Sequence, residues 1–171
     1  MKILSIFIPA FILFGGVSDK VKQKANKAIT RYFETDSFTK KIILLDDISE
    51  LQSDEKENKV VMHIFDNDSK SLGYAVLSKG KGRFDYFDFI VIYNNNLDVK
   101  KVKVLEYTSS RGAEICSYNW LKQFVDNKQF HDYGKNIDAL SGATMSAESI
   151  VNEINLINKI MLILKSTDSL K

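Results

Sequence analysis

The chain has 171 residues, 44% hydrophobic and 27% charged, which suits one domain with a sizeable core. Its 24 basic and 22 acidic residues leave a net charge of +2, a near-balance that gives no overall electrostatic footprint for nucleic acid. One proline, eight glycines, a single cysteine (Cys116) and two histidines far apart (His63 and His131) exclude collagen-like chains, an internal disulfide framework and a cysteine- or histidine-rich metal cluster.

Residues 1–18 read Met-Lys, an apolar run from Ile3 to Phe14, then Gly15-Gly16-Val17-Ser18. That is the layout of a secretory signal peptide with a cleavage site before Asp19. The run is shorter than the roughly 20 residues of a comfortable membrane span, and Pro9 works against a stable helix there. The competing readings are an uncleaved anchor and a buried N-terminal helix. The signal-peptide reading predicts an exported protein, periplasmic or on the outer face of the cytoplasmic membrane. A folded part would follow from residue 19, with 19–58 as helix, short strand and loop, and 59–171 as the main body.

Asp19 to Phe33 places Val21, Ala25, Ala28, Ile29 and Tyr32 on one helical side, with Asp19 as N-cap. Lys41–Leu45 reads as a short strand and Leu51–Asn58 as a polar loop. Lys59–Phe65, Leu72–Ser78 and Arg83–Tyr93 read as strands, the last apolar on both faces and so central. Asn94–Asn96 tolerates positive φ and predicts a turn. Asp98–Tyr107 alternates, Val102 and Val104 against Lys101 and Lys103, as a half-buried strand near an edge does. Ser117–Val125 is expected as a helix burying Trp120, Leu121, Phe124 and Val125. Ile137–Leu140 follows as a short strand, and Ser146–Lys165 as a last helix turning Val151, Ile154, Ile157, Met161 and Leu164 inward. His63 reads as a hydrogen-bonded sheet residue and Cys116 as a buried free thiol. The class is α+β, an antiparallel meander with helices packed on it.

The stretch that carries chemistry is Asp138-Ala139-Leu140-Ser141-Gly142-Ala143-Thr144, running into the last helix. Glycine and alanine let a ligand approach the backbone, and free N–H groups with the helix dipole favour an anion. Ser141, Thr144 and Ser146 add hydroxyls. Glu148, placed in the first helical turn, opposes a phosphate, and Ser146 also reads as a plain N-cap.

Asp138-x-x-Ser141-Gly142-Ala143-Thr144 resembles the flavinylation motif of the FMN-binding domain family, which includes the covalent-FMN subunits of sodium-pumping NADH:quinone oxidoreductases and Rnf complexes. The similarity runs over roughly Lys59 to Asn158, through Gly73-Tyr74, Gly82-Arg83 and the Phe84–Tyr93 strand. The resemblance implies FMN joined to the Thr144 hydroxyl by a phosphoester bond, installed outside the cytoplasm by a separate flavin transferase that uses FAD and needs Asp138. A separate reading makes Asp138 a turn or cap acceptor. Ser110-Arg111-Gly112-Ala113-Glu114-Ile115 stands where the respiratory subunits carry a glycine- and proline-containing loop, and only Gly112 is clearly kept. Trp120-Leu121-Lys122-Gln123-Phe124 looks like the short helix that follows this loop in small stand-alone members.

Ser110, Gly112, Ala113 and Glu114 could offer N–H groups to a flavin ring, and Trp120 or Tyr107 an aromatic face. Trp120 reads equally as helix core, Tyr107 preferentially as core, and Lys128 as a phosphate contact or a solvated cation. The implied function is an exported electron carrier, serving membrane or periplasmic redox proteins and binding no nucleic acid. The alternatives are an accessory or sensing module without covalent flavin and a small flavin-dependent reductase.

Overall fold

The computed structural model describes residues 17–109, 111–126 and 130–170. The signal-peptide reading of residues 1–16, and the candidates Ser110 and Lys128, lie outside them. Five strands, β1 (Thr39–Ile43), β2 (Val60–Phe65), β3 (Ser71–Lys81), β4 (Tyr86–Tyr93) and β5 (Val99–Glu106), pair antiparallel in the order β1-β2-β3-β4-β5. The class is α+β, a simple meander extended at one edge by the N-terminal strand.

One helix covers each face. Helix α1 (Asp19–Phe33) lays Val21, Ala25, Ala28 and Ile29 on Met62, Ile64, Ala75, Leu77, Ile90 and Ile92. A four-residue helix, α2 (Ser53–Lys56), lies within the 51–58 segment that the sequence predicts as loop. Leu51 is buried there and ties the segment to the core. On the far side of the sheet, a 3₁₀ turn (Ala113–Cys116), α3 (Tyr118–Leu121) and a second 3₁₀ turn (Lys122–Phe124) replace the single expected helix over 117–125. Trp120, Leu121 and Phe124 are still buried. The long helix α4 (Thr144–Ser166) crosses this face on Ile150, Val151, Ile154, Ile157, Met161 and Leu164. Apolar residues on both faces of the central strands thus find a cover, as the pattern of β4 requires.

Polar bonds set the position of α4 along the sheet. The Lys81 amide donates to Ser149 Oγ (2.6 Å), Ser78 Oγ to Glu153 (3.2 Å) and Tyr93 Oη to Asn158 Oδ1 (2.7 Å). Lys59, almost fully buried, pairs with Glu153 at 3.1 Å, and Lys159 pairs with Glu55 of α2. Burial alone raises the Tyr93 hydroxyl's pKa far above its ordinary value, so it stays a neutral donor.

Several local expectations are corrected. Ser18, not Asp19, caps α1; its Oγ accepts from the Val21 amide at 3.3 Å. β3 runs on to Lys81, and β4 starts only at Tyr86, after a turn closed by the Gly82 amide on the Asp85 carbonyl (2.8 Å). In the 94–98 turn the positive φ falls on Leu97, while Asn94 Oδ1 accepts from the Asn96 and Asp98 amides. Strict alternation in β5 fails because Lys100 and Leu105 are extra residues at bulges opposite Tyr93–Ile92 and Phe89–Asp88. Bulges of this kind twist an edge strand away from further pairing. Cys116 is exposed, because the 3₁₀ turn points Ile115 inward and leaves its neighbour outside.

Ile137–Leu140 is not a strand; it makes one isolated bridge, Tyr133 to Ile137. Its backbone groups pair with side chains instead. Trp120 Nε1 donates to the Asp138 carbonyl (2.8 Å), the Asp138 amide to Gln123 Oε1 (2.9 Å) and the Leu140 amide to Tyr133 Oη (2.7 Å). Ile137 is fully buried below them. These bonds tie the irregular segment to α3, the following 3₁₀ turn and Tyr133, and it delivers residues 141–144 to the start of α4. No described helix is long and apolar enough to cross a membrane.

Candidate functional site

Three chain segments converge where α4 begins: the turn after β3, the loop after β5, and the stretch 142–146. They enclose a cleft of about 350 Å³ lined by Arg83 and Phe84, by Tyr107, Ser109, Arg111 and Gly112, and by Gly142 through Ser146. Among the described residues no Asp or Glu lines it, and two arginines do.

The first turn of α4 makes the cleft's floor. The helix opens at Ala143 without any side-chain cap and with no acidic residue in its first turn. Its first helical hydrogen bond within the chain runs from the Ala147 amide to the Ala143 carbonyl (2.9 Å). The amides before it are donors without an intrahelical acceptor, at the positive end of the helix dipole. Thr144 is the first helical residue and is exposed. Ser146 is not the N-cap; it lies within the turn, buried, with Tyr107 Oη 3.2 Å away. Glu148 lies beyond the first turn and is exposed, so its objection to an anion falls away.

Tyr107 ties two walls together. Its hydroxyl donates to the Arg111 carbonyl at 2.6 Å and faces Ser146. That crossing explains Gly112. It adopts φ +81°, and a Cβ there would lie 2.7 Å from Tyr107 Oη and 3.4 Å from the Ala143 methyl. Only glycine meets both demands. Gly142 also adopts positive φ, +79°, but nothing lies within 4 Å of its missing Cβ. Its side faces open space at the cleft.

Of the residues singled out in sequence, Tyr107, Gly112, Gly142, Ala143, Thr144 and Ser146 line the cleft together, Tyr107 also packing against the core. Ser141, Ala113 and Glu114 are exposed beside it. Asp138 is exposed and six residues before Thr144, with its backbone held as described. Trp120 is buried against Phe124 and serves the site through that backbone bond rather than as a cleft wall. Sequence reasoning missed Arg83, Phe84, Ser109, Arg111 and Met145 as lining residues. The available signal was Phe84, an aromatic residue inside an otherwise polar turn; it is 78% exposed.

The cleft suits a flavin mononucleotide. An anionic phosphate matches the uncapped helix start and the two arginines. Phe84, Tyr107 and Met145 offer apolar surface for a flat ring, and Gly112 and Gly142 keep the backbone accessible. Comparison with known proteins agrees. Residues 85–157 match the FMN-binding domain family, a span narrower at its start than the 59–158 suggested by the sequence motifs. Among solved structures, NqrC of Shewanella oneidensis has a similar fold, with a TM-score of 0.60 at 17% identity, covering 86% of this chain and 99% of that one. No curated protein sequence matches the chain.

Proposed function

We propose that this chain, whose residues 85–157 match the FMN-binding domain family and whose fold is like that of NqrC, is an exported electron-transfer flavoprotein with FMN esterified to Thr144. The observation that carries this reading is an exposed threonine on an uncapped helix start, inside a cleft that no described Asp or Glu lines. In the attachment step the Thr144 Oγ–P bond forms and the pyrophosphate P–O bond of FAD breaks. AMP leaves, and the hydroxyl proton passes to solvent. A flavin transferase catalyses this outside the cytoplasm.

The chain's own residues supply the rest. Amides of the first turn of α4 and the guanidinium groups of Arg83 and Arg111 offset the charge of the phosphodiester. Phe84, Tyr107 and Met145 give the ring an apolar wall. When bound, FMN supplies one- and two-electron transfer, and the protein sets its exposure and potential. A tethered cofactor stays with an exported protein, and an open cleft lets redox partners at the membrane or in the periplasm reach it.

The test is production alongside an active flavin transferase, followed by denaturation. Visible flavin absorbance should stay with the unfolded chain and vanish in Thr144→Ala. A bare chain, in cells where the transferase loads a known substrate, would overturn the covalent reading in favour of an accessory module.

A further inference from the structure

The opposite layer carries a charge pattern that the flavin site does not use. Along α1, Lys20, Lys24, Lys27 and Arg31 recur at spacings of four, three and four, which aligns them on one flank of the helix. That flank faces the edge strand: Lys20 pairs with Glu106 at 2.5 Å, and Lys24 Nζ donates to the Leu105 carbonyl at 2.7 Å. Lys101 and Lys103 of β5 project on the same side, opposite Ile92 and Ile90. Lys103 feels four of them: its pKa is lowered by desolvation first, then by Lys101, Arg31, Lys27 and Lys24. No carboxylate pairs with Lys27, Arg31, Lys101 or Lys103 among the described residues. The chain's net charge of only +2 therefore hides a concentrated basic face.

We infer that the α1–β5 face is a docking surface for an anionic phospholipid bilayer. Three observations favour lipid over another polyanion. The face is broad, spanning a helix and the neighbouring strand, as a planar charged surface requires. In sequence, Lys20 follows the end of the apolar run of residues 3–14 by six residues, so wherever the chain keeps that run the basic flank comes directly after it. Clusters of four to eight lysines and arginines flanking an apolar segment are the pattern that holds anionic headgroups. The cleft opens on the α4 side of the sheet, so a domain lying on α1 and β5 keeps it turned to water. The inference stands whether or not Thr144 carries flavin.

The full chain is mixed with vesicles of phosphatidylcholine alone and with vesicles that are one-third phosphatidylglycerol, and sedimented. Where the chain keeps its apolar N-terminal run, that run contributes to both, so the ratio of the two partition coefficients reads the basic face. That ratio should be large at low salt and fall as salt rises. In the triple variant Lys27→Glu, Arg31→Glu, Lys103→Glu it should drop by at least about a hundredfold, roughly a factor of five for each of the three cations removed, with the added carboxylates repelling the surface further. A control variant with the same net charge, Lys70→Glu, Lys122→Glu, Lys165→Glu, should keep most of it. Circular dichroism and melting establish that both variants fold. An unchanged ratio in the α1–β5 variant, or equal loss in the control, would overturn the inference. So would a wild-type chain that ignores phosphatidylglycerol yet binds polyglutamate through the same lysines.

Discussion

Helices α1 and α4 do the same structural task and begin in opposite ways. Each buries an apolar stripe on one face of the sheet. α1 starts with Ser18 accepting from the Val21 amide and with Asp19 in its first turn, so its free donors and dipole are partly satisfied. α4 starts at Ala143 with neither device. A helix needs a cap worth about 1 kcal/mol, and α4 forgoes it where its first turn floors a cleft. The difference separates a helix start that only supports the fold from one left ready for an anion.

The largest effect should come from removing the attachment point. Thr144→Ala should lose all covalent flavin, while its melting changes by no more than about 0.5 kcal/mol, since the side chain is exposed. Thr144→Ser, which keeps the hydroxyl, should retain part of the loading. Intact mass and thermal melts read the two quantities separately.

The two positive-φ glycines of the cleft sharpen the same contrast. Gly112→Ala combines left-handed strain with a Cβ 2.7 Å from Tyr107 Oη, and should cost about 2–3 kcal/mol in denaturant unfolding. Gly142→Ala meets only the strain and should cost about 1 kcal/mol. Equal costs would mean that the Tyr107 crossing does not constrain the loop.

Smaller changes should move the two helix starts apart. In a chain that keeps Ser18, Ser18→Ala should cost about 1 kcal/mol and leave flavin loading untouched. Met145→Glu places an acid in the first turn of α4 and should stabilise the helix by about 0.3–1 kcal/mol. It should nonetheless slow flavin attachment, because the carboxylate faces the incoming phosphate. A variant that stabilises and loads faster would break the account of α4.

The smallest effect expected is a pH dependence confined to the α4 side. His131 is 1% exposed, neither ring nitrogen has a hydrogen-bond partner among the described residues, and its backbone is clamped by Asn155 of α4. Burial lowers its pKa, so the unfolded chain binds the proton more readily. Stability is then full above the ordinary histidine value of about 6.5 and falls as pH drops below it. His131→Leu should flatten melting temperature against pH in that window. A residual slope should remain from His63, whose pKa burial also lowers.

How much of this was legible in the chain depends on where each group finds its partner. α1 and the body of α4 were, because Val21, Ala25, Ala28 and Ile29, and likewise Val151, Ile154 and Ile157, announce their own period. The alternation of β5 misled, because the bulges at Lys100 and Leu105 arise from pairing with β4, not from residues within the strand. Ile137–Leu140 looked like a strand because it is short and partly apolar. Its bonding partners, Trp120, Gln123 and Tyr133, come from elsewhere in the chain and leave no local trace. The motif from Asp138 to Thr144 marked one wall of the cleft. Arg83, Phe84 and Arg111 stayed hidden because their role depends on how the β3–β4 turn and the loop after β5 fold over α4.

The most direct measurement is to locate the flavin on the chain. Trypsin should release the peptide from Asn136 to Lys159, which carries Thr144 together with the hydroxyls of Ser141, Ser146 and Ser149. The account predicts that tandem mass spectrometry finds this peptide heavier by FMN less one water, with the addition on Thr144. An addition on Ser141 or Ser146, or an unmodified peptide from a chain exposed to active flavin transferase, would contradict it.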